Sequence, residues 1–211
     1  MITREVVFLT GKSGSGKSTL CRKLLLTAPR LLIFDTISEY RRLSPPYPAI
    51  TICNVYDLMD YLTLNANKPF RVIFDHPDPE EVIELKNGEK LNIFDFVCKV
   101  ILESMTNFTF CIEEIANFVQ RGTAPVYLRK IARYGRHSAI NIYATTQRPA
   151  DVPPVLRAQI TKFITFRQHE PRDIEWIRQI IGDEADSLSA LEQFKWPGPM
   201  VAGKNYKEYT L

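Results

Sequence analysis

An α/β fold, with a mainly parallel sheet and helices on both faces, is predicted by three features of this 211-residue chain. Short runs such as Val6-Val7-Phe8-Leu9, Leu31-Leu32-Ile33-Phe34 and Phe108-Thr109-Phe110-Cys111-Ile112 are almost continuously apolar, as strands covered on both faces are. They alternate with segments of helical periodicity, the order that βαβ units give. The third feature is the first strand-to-helix turn, Gly11-Lys12-Ser13-Gly14-Ser15-Gly16-Lys17-Ser18-Thr19, which fits G-x-x-x-x-G-K-[ST].

That turn has a physical reading of its own. Glycines at 11, 14 and 16 let the backbone fold tightly and aim its N–H groups inward as an anion-binding nest. The helix opening at Lys17-Ser18-Thr19-Leu20 adds the positive end of its dipole. Lys17 is then placed for the β- and γ-phosphates, and the Ser18 hydroxyl for Mg²⁺. An ordinary Gly/Ser loop can carry the same letters. The strand before and the helix after favour a nucleoside triphosphate site.

In order, the pattern predicts the P-loop helix and a strand over Leu31–Phe34 that ends at Asp35. A loop over Pro45–Pro48, a strand over Ala49–Ile52, a helix over Asp57–Leu64 and a strand over Phe70–Phe74 follow. Glu80–Lys90 is polar with Asn87-Gly88 at its turn, a small hairpin. Phe94, Val97 and Ile101 share a helical face within Ile93–Glu103. After the strand Phe108–Ile112 come a loop over Gln120–Ala124, a helix over Val126–Arg136 stopped at Gly135, and a strand over Ala139–Thr145. A turn at Pro153-Pro154, a strand over Lys162–Phe166 and a helix over Pro171–Ile181 complete the alternation. Leu188–Phe194 reads as further helix, and Met200-Val201 with Tyr206–Leu211 as a terminal hairpin turned at Gly203-Lys204-Asn205. No repeat or long linker divides the chain, so one domain over residues 1–211 is expected.

Composition narrows the class. Hydrophobic residues at 45% and charged residues at 24% suit a globular domain. A net charge of +3 permits a nucleic-acid partner only through local patches. The four cysteines, Cys21, Cys53, Cys98 and Cys111, have no C-x-x-C pair, which argues for buried thiols in a reducing compartment. No apolar run approaches the ~20 residues that cross a bilayer, and the N-terminus lacks a signal-peptide pattern. An intracellular chain without an anchor of its own is expected.

In a parallel sheet, ligands bind beyond the carboxyl ends of the strands. Four such ends carry phosphate-handling residues: the P-loop, Asp35, Glu113-Glu114 and Gln147. An apolar strand delivering two acids looks like a Walker B element, with Glu113 holding a water ligand of Mg²⁺ and Glu114 orienting and deprotonating the attacking water. Walker B elements usually have Asp first, and this chain has Glu113. Two solvated acids ahead of a helix would read the same way. Gln147, after Thr145 and Thr146, ends the strand expected beside the P-loop strand, where its amide can touch a γ-phosphate or cap a turn before Pro149.

Taken together, Gly11 to Thr19, Asp35-Thr36-Ile37-Ser38-Glu39-Tyr40, Cys111-Ile112-Glu113-Glu114, Gly135-Arg136-His137 and Thr145-Thr146-Gln147-Arg148-Pro149 resemble the FtsK/HerA superfamily of DNA-pumping ATPases. Within it the chain is most similar to the genome-packaging ATPases of tailless icosahedral viruses with an internal membrane. The stretch Phe166 to Ile177 shares that resemblance.

The resemblance implies a RecA-like ATPase core in a homo-oligomeric ring, often a hexamer, that hydrolyses ATP with Mg²⁺ and moves double-stranded DNA through its channel. It implies a capsid or membrane docking protein, and a place in the host cytoplasm or at the packaging vertex of the virion. The nucleotide would be held by Gly11, Lys12, Ser13, Gly14, Ser15, Gly16, Lys17, Ser18, Thr19 and Asp35, and the metal by Ser18 and Glu113. Catalysis would fall to Lys17, Glu113, Glu114, Gln147 and an arginine finger acting in trans. Arg136 matches the family's arginine before the Gln strand. At 1.5 Å per residue it lies ~10 Å further down its helix than Arg129, the second candidate. Arg129, Arg133 and Arg136 also form one helical stripe, which a solvated face would produce as well.

Lys86, Lys90 and Arg121, in polar loops, are candidate DNA contacts or plain solvated charges. Other readings are a small-molecule kinase, a filamentous-phage assembly ATPase resembling the zonula occludens toxin family, a cellular HerA-like motor, and a nucleotide-binding protein without turnover.

Overall fold

The computed structural model describes residues 4–40, 48–119, 123–195 and 198–211. The expected loops at Pro45–Pro48 and Gln120–Ala124 lie mostly outside these residues, and Arg121 entirely so. The elements run β1 (Val6–Thr10), α1 (Lys17–Leu25), β2 (Arg30–Phe34), β3 (Ile50–Ile52), α2 (Val55–Leu64), β4 (Phe70–Phe74), β5 (Val82–Glu84), β6 (Lys90–Asn92) and α3 (Ile93–Ser104). They continue with β7 (Phe108–Ile112), α4 (Val126–Tyr134), β8 (Ile140–Thr146), α5 (Pro154–Arg157), β9 (Lys162–Phe166), α6 (Pro171–Ile181) and β10 (Tyr206–Thr210). The strands form an eight-stranded sheet in the order β10-β9-β1-β8-β7-β2-β4-β3, and β5 and β6 form the separate hairpin. As expected, the strand ending at Gln147 neighbours the P-loop strand.

By internal contacts the chain gathers into two compact units. The first takes residues 1–4, 27–113 and 124–142. In it β2 pairs in parallel with both β7 and β4, and β4 with β3. All five residues of β7 are buried, and because successive side chains point to opposite faces, both faces of that strand are covered. Phe34 meets Phe74 and Phe94 edge-on, at ring separations of 5.4 and 5.1 Å.

Helix starts in this unit are set by side chains. The Asn54 carboxamide accepts from Tyr56 N and Asp57 N at 2.8 and 3.3 Å, so α2 begins two residues before the expected Asp57. Asn92 caps α3 in the same way through Asp95 N at 2.8 Å. Helix α4 lacks a capping side chain of its own, and Asp95 on α3 supplies one. Its carboxylate accepts from Val126 N at 3.1 Å and Tyr127 N at 2.7 Å. Burial pushes the Asp95 pKa up, against the pull of those N–H groups. Asp95→Ala is expected to cost about 1–2 kcal/mol, the range for a lost N-cap, while Asp95→Asn retains most of the stability. Urea midpoints of the two variants check this.

The other end of α4 stops at Gly135 as expected, with Gly135 as its C-cap, so the helix itself ends at Tyr134, short of Arg136. Gly135 keeps a right-handed φ of −58° and continues into a 3₁₀ turn over Gly135–Ser138. The chain leaves the helix at Ala139, whose φ is 52°. Arg4 joins this end to the following strand: its guanidinium donates to Ile131 O, Ala132 O and Ile140 O at 3.0, 2.8 and 2.8 Å. Ile131 O also accepts from Gly135 N, and Ala132 O, a terminal carbonyl that the helix leaves over, is satisfied by the arginine.

The second unit takes residues 5–26, 114–123 and 143–211. Here β1 pairs in parallel with β9, and β10 pairs antiparallel along β9 from Tyr206↔Phe166 to Thr210↔Lys162. The expected terminal hairpin is therefore corrected. Ala202 makes only an isolated bridge to Tyr206, whereas the edge of β9 offers a five-residue ladder. The expected helix over Leu188–Phe194 is corrected too. Gly182 takes a φ of 66°, α6 stops at Ile181, and a 3₁₀ segment runs over Gly182–Ala190.

Candidate active site

The site is built at the carboxyl end of β1. Gly11, with φ 155°, passes so close to β9 that a methyl group there would lie 2.6 Å from Phe166 Cβ and 2.7 Å from Ser15 Oγ. Its N–H donates to Thr146 O at 3.2 Å, which ties the start of the loop to the end of β8. Ser15 N donates to Lys12 O at 3.2 Å and closes the turn. Gly16 takes a φ of 98° and hands over to α1. Beneath the loop, Thr10 and Thr165 share a buried hydroxyl contact at 3.2 Å. No acid sits in the first turn of α1, so its dipole is left for an anion.

Lys17 is 6% exposed and its Nζ donates to Gly11 O at 2.8 Å and Lys12 O at 2.9 Å. The ammonium is thus held by the loop it would share with phosphate, and two carbonyl bonds are exchanged when it turns to a ligand. Ser18, also 6% exposed, follows it at the start of α1.

Glu114 stands just past β7, with φ 49° and ψ 64°. A left-handed residue other than glycine costs roughly 1–2 kcal/mol, and such strain concentrates at functional positions. Three contacts hold it. Its N–H donates to Thr145 Oγ1 at 3.0 Å, and its carboxylate accepts from Thr146 Oγ1 at 3.0 Å. The Gln147 N–H donates to both carboxylate oxygens, at 2.9 and 3.1 Å. The acid is therefore fixed to the strand end that also receives Gly11 N. Gln147 enters through its backbone, and its side chain is exposed. The part played by the hydroxyls of Thr145 and Thr146 was not evident from sequence. Their place at the end of the strand expected beside the P-loop strand was the available signal.

The remaining candidates belong to the first unit. Glu113 is 2% exposed, and its N–H donates to Phe34 O at 3.0 Å, extending the β7–β2 ladder. Asp35 is fully buried, and its carboxylate accepts from Glu39 N at 3.0 Å and Tyr40 N at 2.8 Å, which organises the turn after β2. Arg129 and Arg133 are exposed on α4, while exposed Arg136 lies on the 3₁₀ turn and not on the helix. The Arg4 pKa is lowered to about 10 by burial and then by repulsion from Arg136.

No protein-family model and no curated protein matches the sequence. Solved structures do. The genome packaging NTPase B204 of Sulfolobus turreted icosahedral virus 2, in complex with ATP-gammaS, is 20% identical with a TM-score of 0.67, covering 98% of this chain and 92% of that one. The fold is that of a RecA-like P-loop NTPase. B204, the DNA-packaging ATPase of Sulfolobus turreted icosahedral virus, is 19% identical with a TM-score of 0.61, covering 92% and 90% of the two chains. VirB4 of Thermoanaerobacter pseudethanolicus is 13% identical with a TM-score of 0.62, covering 88% and 84%.

Proposed function

We propose that this RecA-like chain is an ATPase that drives double-stranded DNA through a homo-oligomeric ring, as a viral genome-packaging motor does. The observation that carries the reading is the fixed carboxylate of Glu114, on the strand end that receives the first P-loop N–H. An acid held there by backbone and hydroxyl donors serves water, the nucleophile of a hydrolase. The chain resembles a packaging NTPase over nearly its whole length, which supports the DNA part of the reading.

In this mechanism the P-loop N–H groups hold the phosphate chain and Lys17 turns from Gly11 O and Lys12 O to neutralise the β- and γ-phosphates. Glu114 accepts a proton from the attacking water. The Gln147 amide orients that water or reads the γ-phosphate. The hydroxyl of Ser18, buried at the start of α1, is a hard oxygen donor of the kind Mg²⁺ takes alongside substrate phosphates and water, and Ser18 would hold the ion. The bound ion would draw charge from the β- and γ-phosphate oxygens. Asp35 shapes the loop after β2.

DNA contact falls to exposed basic residues. Lys86 and Lys90 are exposed on the β5–β6 hairpin, and Lys90 is only loosely paired with Glu84, at 3.5 Å with both side chains mostly exposed. The hairpin is fastened to α3 and α4 by Tyr127, whose hydroxyl donates to Glu89 at 2.8 Å and accepts from Lys99 at 2.8 Å. A motor for a whole genome grips phosphates, so ATP turnover should rise with duplex DNA of any sequence and the stimulation should fade as salt is raised. Reversing the charges of Lys86 and Lys90 is expected to abolish the stimulation. Phosphate release measured across a salt series, with two unrelated duplexes, tests this, and a strong preference for one short sequence would overturn it.

A further inference from the structure

The β5–β6 hairpin is too short to hold its own position. Each strand has three residues, Val82–Glu84 paired with Lys90–Asn92, and a lone two-stranded hairpin is marginally stable in water at best. Its base is fixed by the chain itself. Ile93 N donates to Glu81 O at 2.9 Å and Phe94 N to Pro79 O at 3.3 Å, and β6 runs straight into α3. The tip turns between Leu85 and Glu89, with Leu85 N donating to Glu89 O and Gly88 N to Leu85 O, each at 2.8 Å. Exposed Lys86 and Lys90 stand on either side of Glu89 in the chain.

Glu89 fastens this tip in two directions. Its carboxylate meets Lys99 of α3 at 3.3 Å, and it accepts from the Tyr127 hydroxyl of α4 at 2.8 Å. Lys99 also donates to that hydroxyl at 2.8 Å and pairs with Glu103 at 3.0 Å. The tie to α3 is thus an ion pair, and the tie to α4 a single hydrogen bond. The hydroxyl bond and then Lys99 hold the Glu89 carboxyl below its usual pKa range, which keeps the acceptor ionised and the bond charge-assisted.

We propose that Tyr127 is the positioning residue through which duplex DNA on the hairpin raises ATP turnover. The inference rests on the DNA reading above. Tyr127 is the second residue of α4, and its N–H is held by Asp95 at 2.7 Å. Its ring is buried, with the ammonium groups of Lys99 and Lys130 at 4.6 and 4.5 Å from the centroid, close enough for cation–π attraction to fix it. Backbone and ring being fixed, α4 follows the partner of the hydroxyl. The same helix carries Arg129 and Arg133 and runs into the 3₁₀ turn that bears Arg136. DNA phosphates drawing on Lys86 and Lys90 pull on Glu89, and Tyr127 passes that pull to the arginine helix through an unbroken line of contacts. The ion pair to Lys99 keeps the grip in place.

The two ties can be cut separately. Tyr127→Phe removes the bond to α4 and leaves the ring between its two ammonium groups, while Glu89 and Lys99 still fasten the tip to α3. The test measures ATP turnover against duplex concentration, and duplex affinity by anisotropy of a labelled duplex, on the whole chain. Wild type should be stimulated. Tyr127→Phe should keep basal turnover and duplex affinity within about twofold yet lose about fivefold or more of the stimulation, the low end of couplings between linked sites. Glu89→Gln keeps an oxygen for the Tyr127 hydroxyl and gives up the ion pair, so it should retain most of the stimulation. Full stimulation in Tyr127→Phe would overturn the inference. So would a parallel fall in its basal turnover and duplex affinity, the mark of a merely structural tyrosine. Loss of stimulation in Glu89→Gln would place the coupling in the α3 ion pair and overturn the role of Tyr127. A wild type that duplex DNA does not stimulate would instead overturn the DNA reading beneath it.

Discussion

Glu114→Gln is expected to bind ATP as tightly as the wild type, within about twofold, while hydrolysis falls by about 10²–10⁴-fold, the usual contribution of a general base. The geometry explains why the two effects separate. A glutamine keeps one carbonyl oxygen to accept from Thr146 Oγ1 and Gln147 N, which hold the present carboxylate at 3.0 and 2.9 Å. The left-handed backbone at φ 49° and the bond from Glu114 N to Thr145 Oγ1 involve no side-chain charge and are retained. Only the capacity to take a proton is lost. Lys17→Ala is the contrasting variant, because it removes the one lysine folded onto the loop carbonyls and should weaken ATP binding itself. Nucleotide affinity and single-turnover phosphate release, measured on both proteins, separate the roles. Unchanged turnover in Glu114→Gln would remove it from the mechanism.

The fold was legible in the sequence wherever an element is decided locally. Strands Phe70–Phe74, Phe108–Ile112 and Lys162–Phe166 have the expected bounds, because continuous apolar runs have no alternative to full burial. The hairpin at Asn87-Gly88 is present because its turn chemistry is local. Errors arose where a distant partner decides. The end of α4 was marked locally by Gly135, its C-cap, but the hold of Arg4 on the carbonyls there spans more than a hundred residues and has no local signal. Tyr206–Thr210 carries a strand pattern, but whether it folds on Val201 or on β9 depends on which edge is open. The site follows the same division. The turn from Gly11 to Gly16 could be read from letters alone, since its backbone geometry is what the glycine spacing sets. The anchoring of Glu114 depends on hydroxyls thirty-odd residues further along, on a neighbouring strand.

The active site is expected to be completed by an arginine from a second copy of the chain. Lys17 is one cation, buried in its own loop, and phosphoryl transfer gains about 10³–10⁵ in rate when an arginine is supplied from a neighbour. Arg136 is suited to that task by its support. It lies exposed on a 3₁₀ turn between α4 and β8, and Arg4 already holds the nearby carbonyls of Ile131, Ala132 and Ile140. Those oxygens are spent, and Arg4 repels a second guanidinium, so Arg136 gains by projecting outward to an anion on another subunit. Arg136→Ala should therefore lower hydrolysis by about 10³-fold or more while leaving ATP affinity near the wild-type value. Mixing Arg136→Ala with Glu114→Gln should restore part of the activity, because one class of interface then joins an intact Glu114 site to an intact Arg136. If mixed assemblies form, as native mass spectrometry would show, and no ratio recovers turnover, the finger is not Arg136. The same mixing experiment with Arg129→Ala, from the exposed face of α4, then decides whether that residue holds the role.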